Sequence, residues 1–174
     1  VRIESVRYDA SGNATYVLSG GVSFFIPKSR IPELDSALMA QKQSVEISEF
    51  DDAFLCLRKI DEEERVFKKS LELCARAEQY KAGIFSKLIS RGFSVEAINA
   101  VLPRLEEEKI LDDERYCLVW TRARMRQKAE GPAVILGKLA EKGISPALAR
   151  KALKDIDFDA ALAKAALREK ARIN

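Results

Sequence analysis

The chain has 174 residues, 47% hydrophobic and 33% charged, with 30 Lys and Arg against 27 Asp and Glu, no histidine and three cysteines. That apolar share is enough to build a core, which excludes a disordered or low-complexity chain. Cys56, Cys74 and Cys117 are too few and too far apart for a disulfide framework. Without histidine, neither a His-based acid–base catalyst nor an ordinary structural zinc site can be assembled. The longest apolar runs are about five residues, against the roughly 20 that a membrane-crossing helix needs. No basic start leads into an apolar stretch, so the sequence-based expectation is a cytoplasmic protein that does not engage membranes.

The first segment reads as β. Residues 2–8 alternate in polarity, 15–18 and 22–26 are β-branched and aromatic, and turn residues (Asp9 to Asn13, Ser19 to Gly21) separate them. Pro27 ends the third strand by removing a donor. A short helix is expected over 32–39, with Pro32 in its first turn. Residues 45–58 are ambiguous, with a lean towards helix from Asp51. From Asp61 onward every segment reads as helix. Asp61 can act as N-cap, with Glu62, Glu63 and Glu64 in a dipole-favoured first turn. The stripe predicted for that helix is Val66, Phe67, Ser70, Leu71, Leu73, Cys74 and Ala77. The three cysteines read as buried small hydrophobes.

The best internal signal is a repeat. Residues 87–102 align without a gap on 138–153: Lys87-Leu88 on Lys138-Leu139, Arg91-Gly92-Phe93-Ser94 on Lys142-Gly143-Ile144-Ser145, Val101-Leu102 on Ala152-Leu153. Self-similarity at a fixed offset marks a repeated supersecondary unit. Gly92 and Gly143 suit a left-handed helix ending, Phe93 and Ile144 its closing hydrophobic contact, and Ser94 and Ser145 the cap of the next helix. With a preceding helix (62–79, then 113–128) each unit has three helices. The expected organisation is 1–58 as a β-meander plus helix, 59–111 and 112–155 as two three-helix repeats, and 156–174 as the start of an incomplete third.

Charge is uneven along the chain. Residues 1–60 are net −1, residues 61–112 net −2, and residues 113–174 carry 14 basic against 8 acidic side chains, net +6. A basic third suggests a polyanion or an acidic protein surface as partner. On the helix 113–128, Arg115, Arg122 and Arg126 share one face, while Arg124 and Lys128 extend the other flank. Lys138 and Lys142 can join them, and Arg150, Lys151 and Lys154 form a second basic cluster. Arginine forks suit phosphate and carboxylate alike. Tyr116 and Trp120 lie on the neighbouring stripe and read as core rather than as a base-stacking platform. Asp112 reads as a helix cap rather than one of a metal-binding pair, and the Glu106-Glu107-Glu108 run as a solvated face. No phosphate loop or catalytic cluster is visible.

The run from Arg104 through Leu105, Glu107 and Ile110-Leu111-Asp112-Asp113 to Arg115-Tyr116 resembles the RecX family pattern at the junction of its first two helical repeats. Lys87-Leu88, Arg91-Gly92-Phe93, Thr121-Arg122-Ala123-Arg124, Gly131-Pro132 and Lys142-Gly143-Ile144 support the likeness, which covers roughly residues 65–172. It departs at Ala133-Val134, at Tyr80-Lys81-Ala82-Gly83 and at Pro103. The resemblance implies a mainly α protein, an extended right-handed array of tandem three-helix repeats preceded by a small β-containing segment. It also implies a monomeric, non-enzymatic regulator without cofactor or metal. Such a regulator binds the RecA–single-stranded-DNA filament, restrains its ATPase, recombinase and coprotease activities, touches DNA weakly or indirectly, and so regulates repair and the SOS response. An autonomous helical DNA-binding module is the alternative.

Overall fold

The computed structural model describes residues 2–40, 52–128, 130–163 and 167. Strands β1 (Ile3–Tyr8), β2 (Ala14–Leu18) and β3 (Ser23–Ile26) form an antiparallel sheet in the order β1-β2-β3, with Val6 opposite Tyr16 and Thr15 opposite Phe25. A 3-10 turn (Lys28–Arg30) leads into α1 (Ile31–Ala40), and then come α2 (Asp52–Arg76), α3 (Lys81–Ile89), α4 (Val95–Glu107), α5 (Asp113–Gln127), α6 (Pro132–Glu141) and α7 (Pro146–Leu153). Residues 158–163 begin a further helix. The protein is mainly α with a small N-terminal sheet, as the sequence led one to expect. Residues 45–51, including the start expected at Asp51, lie outside the described residues, as do most of those after Ala163.

The chain divides into two compact units, Val1–Lys69 with Gly92–Val101 and Ser70–Arg91 with Leu102–Asn174. In the first, alternation places Ala14, Tyr16, Leu18, Phe24 and Ile26 on one face of the sheet, where they close on Leu34 of α1 and on Leu57 and Ile60 of α2. Phe24 meets Phe54 edge-on at 5.9 Å. Full burial of side chains this size contributes about 1.5–3 kcal/mol each.

Helix α2 starts nine residues before Asp61, so Asp61 is not a cap. Its carboxylate instead accepts the Phe25 backbone N–H at 3.1 Å, on the free side of β3. The acidic run has similar work. Glu62 accepts the Ser94 N–H at 2.8 Å, and the buried Glu63 holds Arg30 at 2.7 Å. The buried positions of α2 are Ala53, Leu57, Ile60, Glu63, Val66, Ser70 and Leu73, a single seam spaced three and four apart. Leu71 and Ala77, expected in the stripe, fall off that seam and are exposed.

In the second unit, the ends of helices follow the repeat. Gly143 has φ +80°, its N–H donates to the Ala140 carbonyl and the Ile144 N–H to the Leu139 carbonyl, the paired bonds of a Schellman ending. Ser145 then accepts the Leu148 N–H and Pro146 opens α7. In the first unit Gly92 has φ +84° and Ser94 accepts the Ala97 N–H, the same device one repeat earlier. Tyr116, Cys117, Ile135, Leu139, Ile144, Ala149, Ala152 and Leu153 form the core of α5, α6 and α7. Of the cysteines only Cys117 is fully buried; Cys56 and Cys74 are intermediate, a departure from the expected burial of all three.

Candidate functional site

Every basic residue singled out from the sequence lies in the second unit, and the structure sorts them by what they touch. Asp112 caps α5 through the Arg115 N–H, as expected, and this fixes where the helix begins. Arg115 points back over the preceding turn. Its guanidinium donates to Glu78 at 2.8 Å and to the carbonyls of Lys109 and Ile110 at 2.8 and 2.9 Å. It is committed to the α4–α5 turn.

Arg124 and Lys138 are committed as well. Both grip Glu130, Arg124 through Nε and Nη2 at 3.2 and 3.0 Å and Lys138 through Nζ at 2.6 Å. Glu130 is only 8% exposed. The Arg124 fork and then the Lys138 ammonium bring its carboxyl down to about 2. Lys151 reaches Glu114 at 2.9 Å. Lys142 sits over two rings, 5.2 Å from the centroid of Tyr80 and 5.6 Å from that of Trp120.

Tyr116 is buried and stacks at a tilt on Tyr80, centroids 4.7 Å apart, while Trp120 packs at the edge of the same core. Burial pushes the Tyr116 hydroxyl up to about 12 and the Cys117 thiol up to about 11, so both stay neutral. These aromatics build the core and carry Lys142; they form no open stacking platform.

Five of the ten remain exposed and without an acidic partner among the described residues: Arg122 and Arg126 in the C-terminal half of α5 with Lys128 just past its end, and Arg150 on α7 with Lys154 just past its end. Arg122 and Arg126 stand one turn apart beside Val119, which is 46% exposed. Cations at a helix C-terminus suit its dipole, which accounts for their tolerance there without accounting for their freedom. Sequence reasoning missed the carboxylates that sort this set. Glu78, Glu114 and Glu130 lie 37, 37 and 6 residues from their partners Arg115, Lys151 and Arg124. Only the last spacing is short enough to have been suspected. The acidic run 106–108 is partly spent too, Glu106 on Lys81 and Glu108 on Arg104, both at 2.8 Å.

A profile described as the second three-helix domain of RecX matches residues 112–153, the stretch that holds α5, α6, α7 and all but one of the free cations. The regulatory protein RecX of Halorhodospira halophila is 31% identical over 107 residues, 62% of this chain and 66% of that protein. The chain is similar to RecX proteins. RecX of Treponema pallidum is 34% identical over 84 residues, 48% of this chain and 51% of its own. The chain thus spans between half and two thirds of the length of these curated relatives. Solved RecX structures agree on the fold. One superposes with a TM-score of 0.65 at 19% identity, covering 90% of this chain and 74% of that one. RecX from Lactobacillus salivarius gives 0.50 at 24% identity, over 53% and 60%.

No helix among the described residues is long and apolar enough to cross a membrane. Nor do three or more His, Cys, Asp or Glu side chains gather there into a metal-binding group.

Proposed function

We propose that this chain binds the RecA–single-stranded-DNA filament in the cytoplasm and restrains its ATPase, recombinase and coprotease activities, acting as a monomeric, non-enzymatic regulator of repair and the SOS response. Similarity to regulatory proteins named RecX supports the partner. The observation that carries the contact surface is the set of exposed cations without an acidic partner among the described residues: Arg122, Arg126 and Lys128 at the end of α5, with Arg150 and Lys154 at the end of α7 as a second group. Such forks and ammonium groups suit the phosphates of the filament's DNA and carboxylates on a protein face. Regulation then requires that these contacts favour one filament state over another, because a ligand with equal affinity for both shifts neither.

The test is RecA ATP hydrolysis on single-stranded DNA, titrated with this protein, beside binding to the same DNA without RecA. The expected result is loss of hydrolysis at concentrations too low to coat the DNA, weakened by Arg122→Ala combined with Arg126→Ala. Loss only when the DNA is saturated supports the autonomous DNA-binding module instead. Unchanged hydrolysis removes the regulatory reading.

A further inference from the structure

Arg122, Arg126 and Lys128 are not the whole positive surface of α5 and α6. Arg124 and Lys138 belong to it by position, and their side chains are still 35% and 30% exposed. What separates them from their neighbours is one carboxylate. Glu130, its side chain 7% exposed, takes both nitrogens of the Arg124 fork and the Lys138 ammonium, the arrangement a phosphate oxygen pair would take. Two charges are thereby neutralised to one.

Capping does not explain the contact. Helix α6 starts at Pro132 behind Gly131, which offers no side-chain cap, and the Gly131 carbonyl receives the Val134 and Ile135 N–H groups. The contact steadies the fold while the carboxylate is charged, and that does not preclude a second consequence. The arrangement does set which cations can meet an external anion.

We propose that Glu130 is an internal counter-anion that withholds Arg124 and Lys138 from a nucleic-acid phosphate backbone, and so limits the affinity of this surface for bare DNA. The proposal rests on the reading that the basic surface of α5 meets nucleic acid. It adds a device that keeps such binding weak unless a partner supplies the remaining contacts. Replacing the carboxylate by its neutral isostere leaves the shape and frees both cations.

The experiment is fluorescence anisotropy of a labelled oligothymidylate across a salt series, with the native chain, Glu130→Gln and Glu107→Gln. Glu107 is exposed and its substitution makes the same change in net charge without freeing a cation. Two further phosphate contacts on a single strand should steepen the slope of log affinity against log salt by about 1.4 in Glu130→Gln. Affinity at low salt should rise severalfold. Glu107→Gln should leave the slope unchanged. Equal behaviour of the two variants, including no binding by either, overturns the proposal.

A measurement on the native chain guards against a Glu130→Gln variant that fails to fold. Amine-reactive footprinting with and without the oligothymidylate should protect Lys128 and leave Lys138 unchanged. Protection of Lys138 overturns the proposal by itself. Failure of the functional reading is read separately, from RecA hydrolysis that the native chain does not alter.

Discussion

At the scale of single residues, the second unit is organised by carboxylates that few positions in the sequence announce. Glu130 is the clearest. Its carboxyl is brought down to about 2, chiefly by the Arg124 fork and then by Lys138. A group whose folded value lies below its unfolded value stabilises the fold above the unfolded value, near 4.5, and that contribution is lost as pH falls through the folded value. Native chain and Glu130→Gln should therefore differ most in melting temperature at pH 6. The gap should narrow steadily as pH is lowered towards 2. A gap that is constant over that range would mean the carboxylate is not held as charged by its two partners. Gly83 gives a second residue-scale test. A Cβ built there lies 2.6 Å from the Tyr80 ring, and that ring is pinned between Tyr116 and Lys142. Alanine is the better helix former by about 1 kcal/mol, yet Gly83→Ala should destabilise, because the ring must then leave its contact with Tyr116. Thermal unfolding decides the sign.

At the scale of elements, what holds the turns is mixed, and so was their legibility. The endings at Gly92 and Gly143 and the caps Ser94, Asp112 and Ser145 were readable from the sequence, because each depends on residues within a turn of one another. The α4–α5 turn is different. Lys109 takes φ +57° there, a conformation usually left to glycine, and the Lys109 N–H and Ile110 N–H close on the carbonyls of Glu106 and Leu105. Arg115 then bonds the carbonyls of Lys109 and Ile110 and ties them to Glu78. Arg115→Ala should cost about 1–3 kcal/mol, at the lower end because the side chain is partly solvated. Arg115→Lys should recover little, since an ammonium cannot fork across two carbonyls and a carboxylate. Chemical denaturation of the three forms checks both statements, and full rescue by lysine would reduce the contact to a simple ion pair.

The lean towards helix from Asp51 sits beside Asp52, where the described helix begins, but the unbroken run of α2 through Asp61 was not legible, for the opposite reason. Asp61 to Glu64 carry the local signature of a helix N-terminus, yet Asp61, Glu62 and Glu63 are spent on Phe25, Ser94 and Arg30. Those partners lie about 30 residues away or more, which no local reading reaches. The same holds for α3, whose first N–H groups lack a cap from Tyr80. The Lys81 N–H is met instead by the Asp113 carboxylate at 2.7 Å, where burial raises its acid value.

At the scale of the whole molecule, charge is the property that sequence and structure both speak to, and they give different counts. The last third of the chain holds 14 basic side chains. Of the ten nominated as contacts, four are spent on carboxylates and one on aromatic rings, leaving Arg122, Arg126, Lys128, Arg150 and Lys154. A sequence count thus overstates the surface a polyanion can use by about twofold. The difference can be measured, because each phosphate neutralised on a single strand adds about 0.7 to the slope of log affinity against log salt. If Arg122, Arg126 and Lys128 alone meet the strand, the native chain should show a slope of about −2 on oligothymidylate. If the α7 pair joins them the slope should approach about −3.5, and engagement of all ten would require about −7. The expected value is the first, since these three cations lie within one short stretch of chain and Val119, beside Arg122 and Arg126, gives an apolar edge. Arg122→Ala with Arg126→Ala should then bring the slope to about −0.7, with one cation left. A slope that survives this double substitution would move the interface from α5 to α7.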